Sequence, residues 1–316
     1  VDKVPDIWPD TEVTRNDLLD YAYEIEYFDQ HLGKILNQLD EKGILDNTLV
    51  VVTADNGMPF PRIKGQEYEL SNHLPLAIMW KDGIDRPGRV EDDFVSFIDF
   101  APTFIELAGL DWERTGMAPT PGRSMTGIFR DGDDSGEPFR DHVIFGKERH
   151  DVGRPFDQGY PIRGIIKDGY LYLKNFEPSR WPAGNPETGY LNTDGSPTKS
   201  LILEMRRKGQ DVHYWEMNFG KRPGEELYHI AGDPLCMDNL AGKEEFDALK
   251  NAMRETLFAE LREEEDPRIL GKGDIFQEYL YANEKTRNFY TRYMAGESVH
   301  AGWVEETDFE AGPLPE

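Results

Sequence analysis

The chain has 316 residues, of which 38% are hydrophobic and 12% aromatic, so it carries enough apolar side chains for a folded core. Its 61 acidic and 35 basic residues give a formal net charge of −26. A protein this acidic repels the phosphates of nucleic acids and of anionic membranes, so we expect neither as a partner. The single cysteine, Cys236, excludes an intrachain disulfide and a zinc–thiolate cluster.

Targeting signals are sparse. No apolar run approaches the roughly 20 residues that a membrane span needs, and the first residues do not have the pattern of a signal peptide. The chain begins with Val1 rather than methionine, so we expect it to lie inside a longer product. The absence of an Asn-x-Ser/Thr sequon argues against a glycosylated lysosomal or secreted eukaryotic protein.

The first predicted element is a long amphipathic helix over residues 15–42. Thr14 with Asp17 resembles a capping box, and apolar residues then recur at three- and four-residue steps. Gly43 is a typical residue after a helix end. A β-branched run over 48–54 follows, and its lack of alternation is typical of a strand in a parallel sheet that helices cover on both faces.

Further elements follow in chain order. Leu74 to Trp80 has the character of a second strand, and Pro102 begins a two-turn helix that stops near Gly109. Residues 111–142 are rich in Gly, Pro and Asp, which indicates a crossing loop or domain boundary. The remaining predictions are strands at 143–146, 162–166 and 170–174, an ordered loop at 176–198, a helix at 243–265 and a packed tail at 266–316.

The sharpest chemical feature is Asp55-Asn56-Gly57, directly after the first predicted strand. Ligands of open α/β sheets bind outside the carboxyl ends of strands. Carboxylate and amide oxygens suit a hard cation, calcium or magnesium, better than zinc or copper. The alternative is structural, because Asn-Gly is also the commonest hairpin turn.

Several cationic side chains follow this tripeptide. Arg62 and Lys64 lie within ten residues of it, and a fixed cation beside a metal suits a tetrahedral oxyanion such as sulfate or phosphate. The alternative is loop charge in solvent. His73 is a weaker candidate, since a lone histidine is more often structural.

A polar cluster, Glu148-Arg149-His150-Asp151, follows the predicted strand at 143–146. It suits recognition of substrate hydroxyls or charges, and it equally suits an exposed turn. The stretch from Arg222 to Ala241, with Asp233-Pro234 and Asn239-Leu240-Ala241, has the pattern of a strand, a turn and a helix start, which we interpret as structural.

These residues resemble a known family. The helix, the strand and Thr53-Ala54-Asp55-Asn56-Gly57 are similar to type I sulfatases of the alkaline-phosphatase-like superfamily, as is the line Val95 to Thr103 with Leu107-Ala108-Gly109. Three further stretches are similar to the heparan N-sulfatase (sulfamidase) branch: Val4-Pro5 through Pro9-Asp10-Thr11, Asp55 through Pro61, and Asp266-Pro267. The resemblance covers about residues 1–270.

The resemblance implies a sulfatase chemistry. A formylglycine, made from a Cys/Ser-x-Pro-x-Arg motif, acts as the nucleophile, and Ca2+ (magnesium is the second choice) with basic residues binds the sulfate. Asp55 and Asn56 match the family's second pair of calcium ligands. Lys64 best matches the sulfate-contacting lysine, with Arg62 as competitor. His73, Arg149 and His150 are further substrate-binding candidates.

The chain departs from the family in one respect, because the nucleophile motif does not occur in it. We therefore expect no catalytic nucleophile here, and we expect the N-terminal half of the same enzyme to supply the nucleophile and the first pair of metal-binding aspartates. The expected fold class is α/β: an alkaline-phosphatase-like sulfatase fold whose large mixed sheet, flanked by helices, is completed by residues 1–140. Residues 141–265 form a smaller antiparallel-sheet subdomain.

The expected function is hydrolysis of a sulfate ester or sulfamate on a sulfated carbohydrate, in the periplasm of a bacterium or outside the cell. Two alternatives stay open at this point. One is a phosphodiesterase or phosphonate hydrolase on the same fold, and the other is a non-catalytic carbohydrate-binding fragment. The loops 111–142 and 148–198 are expected to set substrate choice.

Overall fold

A computed structural model of the chain describes residues 1–130 and 138–314. The chain divides into two compact units. The larger unit comprises Val1–Glu24, Asp55–Leu74 and Ile144–Glu316, and the smaller unit comprises Ile25–Ala54 and Pro75–Val143. Within the described residues, no helix combines the length and the apolar character that crossing a membrane requires.

The predicted long helix is present as α1, Glu12–Glu41. It begins before Thr14, because the hydroxyl oxygen of Thr11 accepts a hydrogen bond from the backbone N–H of Thr14 at 3.3 Å and so caps the helix. Gly43 has φ +66°, the left-handed conformation expected after a helix end.

Most of the predicted apolar face of α1 is not buried by the described residues, although Leu18 and Tyr21 pack against the core. Thr14 is the one buried residue of the helix, and the side chains of Ile25 and Ile35 are 51% and 56% exposed. The spacing of apolar residues therefore predicted the helix correctly, while the surface that covers its apolar face is not supplied by the described residues.

The smaller unit contains both predicted strands as a two-stranded sheet. Strand β1, Val50–Thr53, pairs antiparallel with β2, Leu76–Met79. Among the described residues, β1 has an antiparallel neighbour and no parallel one, so the expectation of a parallel neighbour is wrong for this part of the protein. None of the four residues of β1 is buried. An apolar run without alternation indicates apolar groups on both faces, but it carries no information on strand direction.

The two-turn helix is present as α3, Phe100–Leu107, and a short helix α2, Glu69–Asn72, precedes β2. Asp99 lies fully buried at the start of α3. Its carboxylate accepts hydrogen bonds from the backbone N–H groups of Ser96 and Arg123, both at 2.8 Å, and from the guanidinium of Arg140 at 2.6 Å. A buried carboxylate needs such partners, so this residue organises the smaller unit.

In its described residues, the loop predicted over 111–142 contains a 3-10 helix, Trp112–Arg114, and the short helix α4, Thr126–Phe129. The segment 131–137 of this loop lies outside the described residues. Any role of that segment in substrate choice therefore stays a prediction.

The larger unit contains a four-stranded sheet in the order β3-β4-β5-β6. Its strands are β3, His142–Lys147; β4, Ile162–Lys167; β5, Tyr170–Asn175; and β6, Glu225–His229. The pairs β4–β5 and β5–β6 are antiparallel, which confirms the predicted antiparallel sheet. Helix α7, Asp247–Glu263, packs its Met253, Leu257 and Leu261 on Ile165, Tyr172 and Leu227 of the sheet.

Two helices of the larger unit had no predicted counterpart: α5, Pro197–Arg207, and α6, Val212–Phe219. The start of α5 carries a recognisable cap, since the Ser196 hydroxyl accepts a hydrogen bond from the Lys199 N–H at 3.1 Å. The carboxylate of Asp17 accepts a further one from the N–H of Thr198 at 2.9 Å. Both helices pack on a core around Trp8, Phe60 and Tyr190.

The C-terminal segment contains α8, Ile275–Glu278, and α9, Phe289–Met294. Phe289 is fully buried in a cluster with Val152 and Leu191. A further attachment is an ion pair between Lys199 Nζ and Asp308 Oδ2 at 3.0 Å, in which both side chains are fully buried.

Candidate functional site

The tripeptide Asp55-Asn56-Gly57 follows β1 as a bend and not as a hairpin turn, because the next strand begins only at Leu76. Asn56 Nδ2 donates a hydrogen bond to Asp55 Oδ1 at 2.8 Å. Among the described residues, Asp55 Oδ2 and Asn56 Oδ1 accept no hydrogen bond. This hydrogen bond joins the two side chains, and Asp55 Oδ2 and Asn56 Oδ1 remain available as ligand atoms.

Gly57 fixes this bend against the segment that follows. Its N–H donates to the carbonyl oxygen of Ser71 at 3.1 Å. A β-carbon at this position would lie 2.1 Å from the carbonyl oxygen of Leu70 and 2.6 Å from Cγ2 of Ile63. Only glycine fits such a close approach, so the residue type is required by packing.

The donor atoms fit a calcium or magnesium ion, which prefers carboxylate and amide oxygens. Within residues 1–130 and 138–314, however, no group of three or more His, Cys, Asp or Glu side chains is arranged to hold a metal. Calcium takes six to eight oxygen ligands, so Asp55 and Asn56 by themselves form an incomplete site.

Lys64 lies eight residues after Asn56, on the same segment of the larger unit. Its ammonium is 2.6 Å from Asp194 Oδ2, and both side chains are a little over a quarter exposed. The ammonium of Lys64 is thus paired with a carboxylate but is not enclosed by the protein.

Gly65, the next residue, is the centre of a polar cluster. It has φ +74°, and a β-carbon there would lie 2.7 Å from Cδ2 of His150 and 3.0 Å from the carbonyl oxygen of Asn192. Its own carbonyl oxygen accepts a hydrogen bond from Lys147 Nζ. Glycine is needed here, and it brings Lys64 close to the residues that follow strand β3.

Charges around Gly65 shift the ionisation of the cluster. Part of the surface of His150 is exposed to solvent. Desolvation, together with the positive charges of Lys147 and Lys64, lowers the pKa of His150 to about 4. Desolvation also lowers the pKa of Lys147 to about 8, against the attraction of Glu67, whose Oε1 lies 4.0 Å away. His150 is therefore neutral at pH 7 and can both donate and accept a hydrogen bond.

Two carboxylates complete the cluster, Asp151 and Asp194. Asp151 Oδ1 accepts hydrogen bonds from the N–H of Val152 and from the hydroxyl of Tyr281, both at 2.8 Å. Burial raises the pKa of Asp151, and the negative charge of Asp194 raises it further. Sequence reasoning did not single out Asp194, Lys147 or Tyr281. No sequence signal connects them to Lys64, because between 83 and 217 residues separate them from it.

The segment that carries Asp194 is held by buried cations. Arg154 is 1% exposed, and its guanidinium donates to Asn192 Oδ1 at 2.7 Å and to the carbonyl oxygens of Trp181 and Pro182. Lys199 Nζ donates to the carbonyl oxygen of Thr193 at 2.8 Å. The position of Asp194 is thus set from both sides.

Arg62 makes its contacts with residues outside the Gly65 cluster. Only 4% of it is exposed, and its guanidinium donates to the carbonyl oxygens of Met217, at 2.8 Å, and Cys236. The guanidinium carbon also lies 4.0 Å from the centre of the Tyr68 ring. These contacts favour a structural role for Arg62 over binding of a sulfate.

The remaining sequence candidates have partners of their own. His73 is exposed, and its Nδ1 is 2.6 Å from Glu69 Oε1. Arg149 donates to the carbonyl oxygens of Asp157 and Tyr279. Glu148 is paired with Arg163 at 2.7 Å and with Arg268 at 2.5 Å. Of the predicted substrate-binding residues, the structure brings Lys64 and His150 together; the roles of His73 and Arg149 stay predictions.

Two clefts of about 400 and 360 Å³ stand out in the described part of the chain. One is lined by Tyr170, His229 and Phe246, and the other by Ile105, Leu110 and Trp112. Neither includes a residue of the Gly65 cluster, so the chemistry of the cluster, and not cavity size, identifies the candidate site.

Comparisons with known proteins show what the chain is similar to. Residues 3–110 match the sulfatase family model, a range that contains Asp55, Asn56 and Lys64. The chain is 26% identical over 279 residues to human N-sulphoglucosamine sulphohydrolase, covering 88% of this chain and 54% of that protein. It is 24% identical over 277 residues to an ulvan-active sulfatase of Formosa agariphila, covering 86% of this chain and 41% of that protein.

A solved structure shows the same fold. The candidate sulfatase YidJ of Bacteroides fragilis superposes with a TM-score of 0.57 at 19% identity, over 84% of this chain and 47% of that one. The chain thus spans about half the length of these relatives. The family match, the sulfatase relatives and the shared mixed α/β fold together confirm the resemblance seen in the sequence. Residues 3–110 are thus similar to the sulfatase family, and the chain shares its fold with a solved candidate sulfatase.

Proposed function

We propose that the complete protein hydrolyses a sulfate ester or sulfamate on a carbohydrate, and that this chain supplies part of its sulfate-binding site. The observation that carries the proposal is the position of Lys64: it lies within the matched sulfatase range, and its partly exposed ammonium faces a polar cluster. The names of the two curated relatives, an N-sulphoglucosamine sulphohydrolase and an ulvan-active sulfatase, support a sulfated carbohydrate as substrate.

In this proposal, Lys64 binds an oxygen of the sulfate group, and its charge stabilises the negative charge on that group in the transition state. Asp194 orients the ammonium without neutralising it completely, since the pair is partly in water. His150, neutral at pH 7, offers a ring nitrogen to the sugar. Buried Arg154 and partly buried Lys147 hold the two segments that carry these groups.

Asp55 and Asn56 would hold a calcium ion through their side-chain oxygens, and further ligands are expected outside the described residues. A bound calcium ion supplies positive charge for the sulfate oxygens. The formylglycine nucleophile is likewise expected outside this chain, since the motif that generates it does not occur here.

The exposed apolar surface supports a longer protein. Besides Ile25 and Ile35, α1 exposes Tyr23, Tyr27 and Phe28 by 65%, 61% and 53%. A helix with this much exposed apolar area marks an interaction surface. We propose that the remainder of the sulfatase domain covers it, because the relatives are about twice as long as this chain.

The test is release of inorganic sulfate from sulfated glucosamines by the complete protein, measured with and without a calcium chelator. We expect sulfate release that the chelator reduces and that added calcium restores. Release of phosphate from phosphodiesters or phosphonates, without sulfate release, would contradict the proposal. Sugar binding without any hydrolysis would indicate a non-catalytic binding protein.

A further inference from the structure

The sulfate-binding candidate Lys64 has carboxylates beside it. Asp194 Oδ2 lies 2.6 Å from Lys64 Nζ. Asp151 is a neighbour of Asp194, whose negative charge acts on it, and it directly follows His150, the residue packed against Gly65. Lys64 is thus accompanied by two acids that are, like it, partly exposed.

Each of the two acids has an oxygen to spare. Asp151 uses Oδ1 to accept from Val152 and Tyr281, and Asp194 uses Oδ2 to accept from Lys64. In the described part of the chain, Asp151 Oδ2 and Asp194 Oδ1 accept no hydrogen bond. Carboxylate oxygens of this kind accept hydrogen bonds from hydroxyl or ammonium groups and repel anions.

The neighbouring buried groups also have unused hydrogen-bonding capacity. Gln66 and Thr193, which adjoin Gly65 and Asp194 in the sequence, are 5% and 2% exposed. Gln66 Nε2 and Thr193 Oγ1 have no hydrogen-bond partner among the described residues. Buried polar groups usually have partners, so these two side chains, next in sequence to Gly65 and Asp194, leave hydrogen-bonding capacity for a further polar group.

The acids cannot easily turn away from a ligand. The segment of Asp194 is fixed by the hydrogen bond from Lys199 Nζ to the Thr193 carbonyl oxygen and by the one from the Gly195 N–H to the Trp303 carbonyl oxygen, at 2.8 and 2.6 Å. Asp151 is held by its own two hydrogen bonds. A second anionic group on a substrate would therefore meet fixed negative charge.

We infer that Asp194, paired with Lys64, and Asp151, whose charge interacts with that of Asp194, select a sugar whose cleaved sulfate is accompanied by hydroxyl or amino groups and not by a second sulfate or a carboxylate. This inference rests on the proposed sulfate-binding role of Lys64. Lys64 attracts the one sulfate, and the two acids accept hydrogen bonds from its neighbours on the sugar ring. A like charge close to fixed acids weakens binding, and in a partly wet site the loss is about tenfold.

The test uses the complete protein and three ligands: glucosamine N-sulfate, glucosamine 6-sulfate and glucosamine 2-N,6-O-disulfate. Binding is measured by calorimetry, and sulfate release is measured in parallel. We expect the better monosulfate to bind at least about tenfold more tightly than the disulfate. In Asp151→Asn and in Asp194→Asn, which keep the shape and remove the charge, this preference falls to about threefold or less.

A matched control is Asp238→Asn, which removes a carboxylate that pairs with Lys243 at 2.8 Å outside the cluster and should leave the preference unchanged. Thermal melting confirms that each variant is folded. Equal or tighter binding of the disulfate by the unaltered protein, or an unchanged preference in both Asp variants, overturns the inference even if sulfate is released. Absence of sulfate release contradicts the proposed function, whereas the calorimetric preference still decides the inference.

Discussion

Lys64 Nζ lies 2.6 Å from Asp194 Oδ2, although 130 residues separate the two in the chain. The pair joins the segment after Asp55-Asn56-Gly57 to the segment before α5. This contact brings a cation predicted from the sequence together with an acid that was not.

The role of Lys64 is tested by Lys64→Ala in the complete protein. Removing a group that stabilises developing charge lowers kcat by about 100- to 1000-fold, and we expect a comparable fall in kcat/KM for sulfate release. The control is Lys243→Ala, since Lys243 also pairs with an aspartate at 2.8 Å but lies outside the cluster. An unchanged kcat/KM in Lys64→Ala would remove Lys64 from the site.

The metal assignment is tested by Asp55→Ala and Asn56→Ala. We expect each to weaken calcium binding by the complete protein by at least about tenfold, because each removes an oxygen ligand. Calorimetric titration with calcium gives the affinity independently of activity. Asp46→Ala, which removes a surface carboxylate paired with Lys81 at 2.8 Å, serves as control. Unchanged calcium binding in both site variants would show that the ion, if any, is held elsewhere.

The packing of the bend is tested by Gly57→Ala. The added β-carbon would lie 2.1 Å from the carbonyl oxygen of Leu70, so the bend must move. We expect weaker calcium binding even though no ligand is removed, together with a lower melting temperature. Gly209→Ala adds a β-carbon where nothing lies within 4 Å, although at φ +67°, and it should leave calcium affinity unchanged. Unaltered calcium affinity in Gly57→Ala would separate the bend from the metal site.

The pKa of His150 gives a pH prediction. Because the pKa falls from the usual 6.5 to about 4 in the folded chain, the unfolded chain binds more protons between these values. This group's contribution to stability is therefore present above pH 6.5 and is lost as the pH falls towards 4. NMR titration of the ring should give a midpoint near 4, and Lys64→Met should raise it by removing a nearby positive charge. A midpoint near 6.5 in the unaltered chain would contradict the cluster geometry.

The buried pair Lys199–Asp308 predicts a large effect on stability. Replacing Asp308 by Asn leaves the Lys199 ammonium buried without its counter-charge, and such losses cost about 3–5 kcal/mol. Urea unfolding should show the transition of the larger unit at a clearly lower midpoint. Glu204→Gln disrupts the exposed pair with Lys208 and should change the midpoint little. Equal midpoints for Asp308→Asn and the unaltered chain would mean that the tail is not anchored by this pair.

Local patterns determined a large part of the fold. The three- and four-residue spacing predicted α1 and α7, and Gly43 marked the end of the first helix. Short β-branched runs with glycine turns predicted β3, β4 and β5. These features depend on neighbours within a few residues, which a sequence displays directly. The helix cap at Ser196 is a local signal of the same kind for the start of α5. It was missed because the residues before it are rich in Pro and Gly, which are typical of a loop.

The sequence by itself also predicted the candidate metal ligands Asp55 and Asn56 and the lysine that follows them, because these lie within eleven residues of one strand. Only the tertiary structure decided which distant side chains join Lys64. The packing of separate segments brings Asp194, Lys147 and Tyr281 to the cluster. The tertiary structure likewise buries Arg62 against the Tyr68 ring and away from solvent, which its residue type does not predict. Long-range contacts of this kind arise from the joint packing of the whole unit, and no local pattern encodes them.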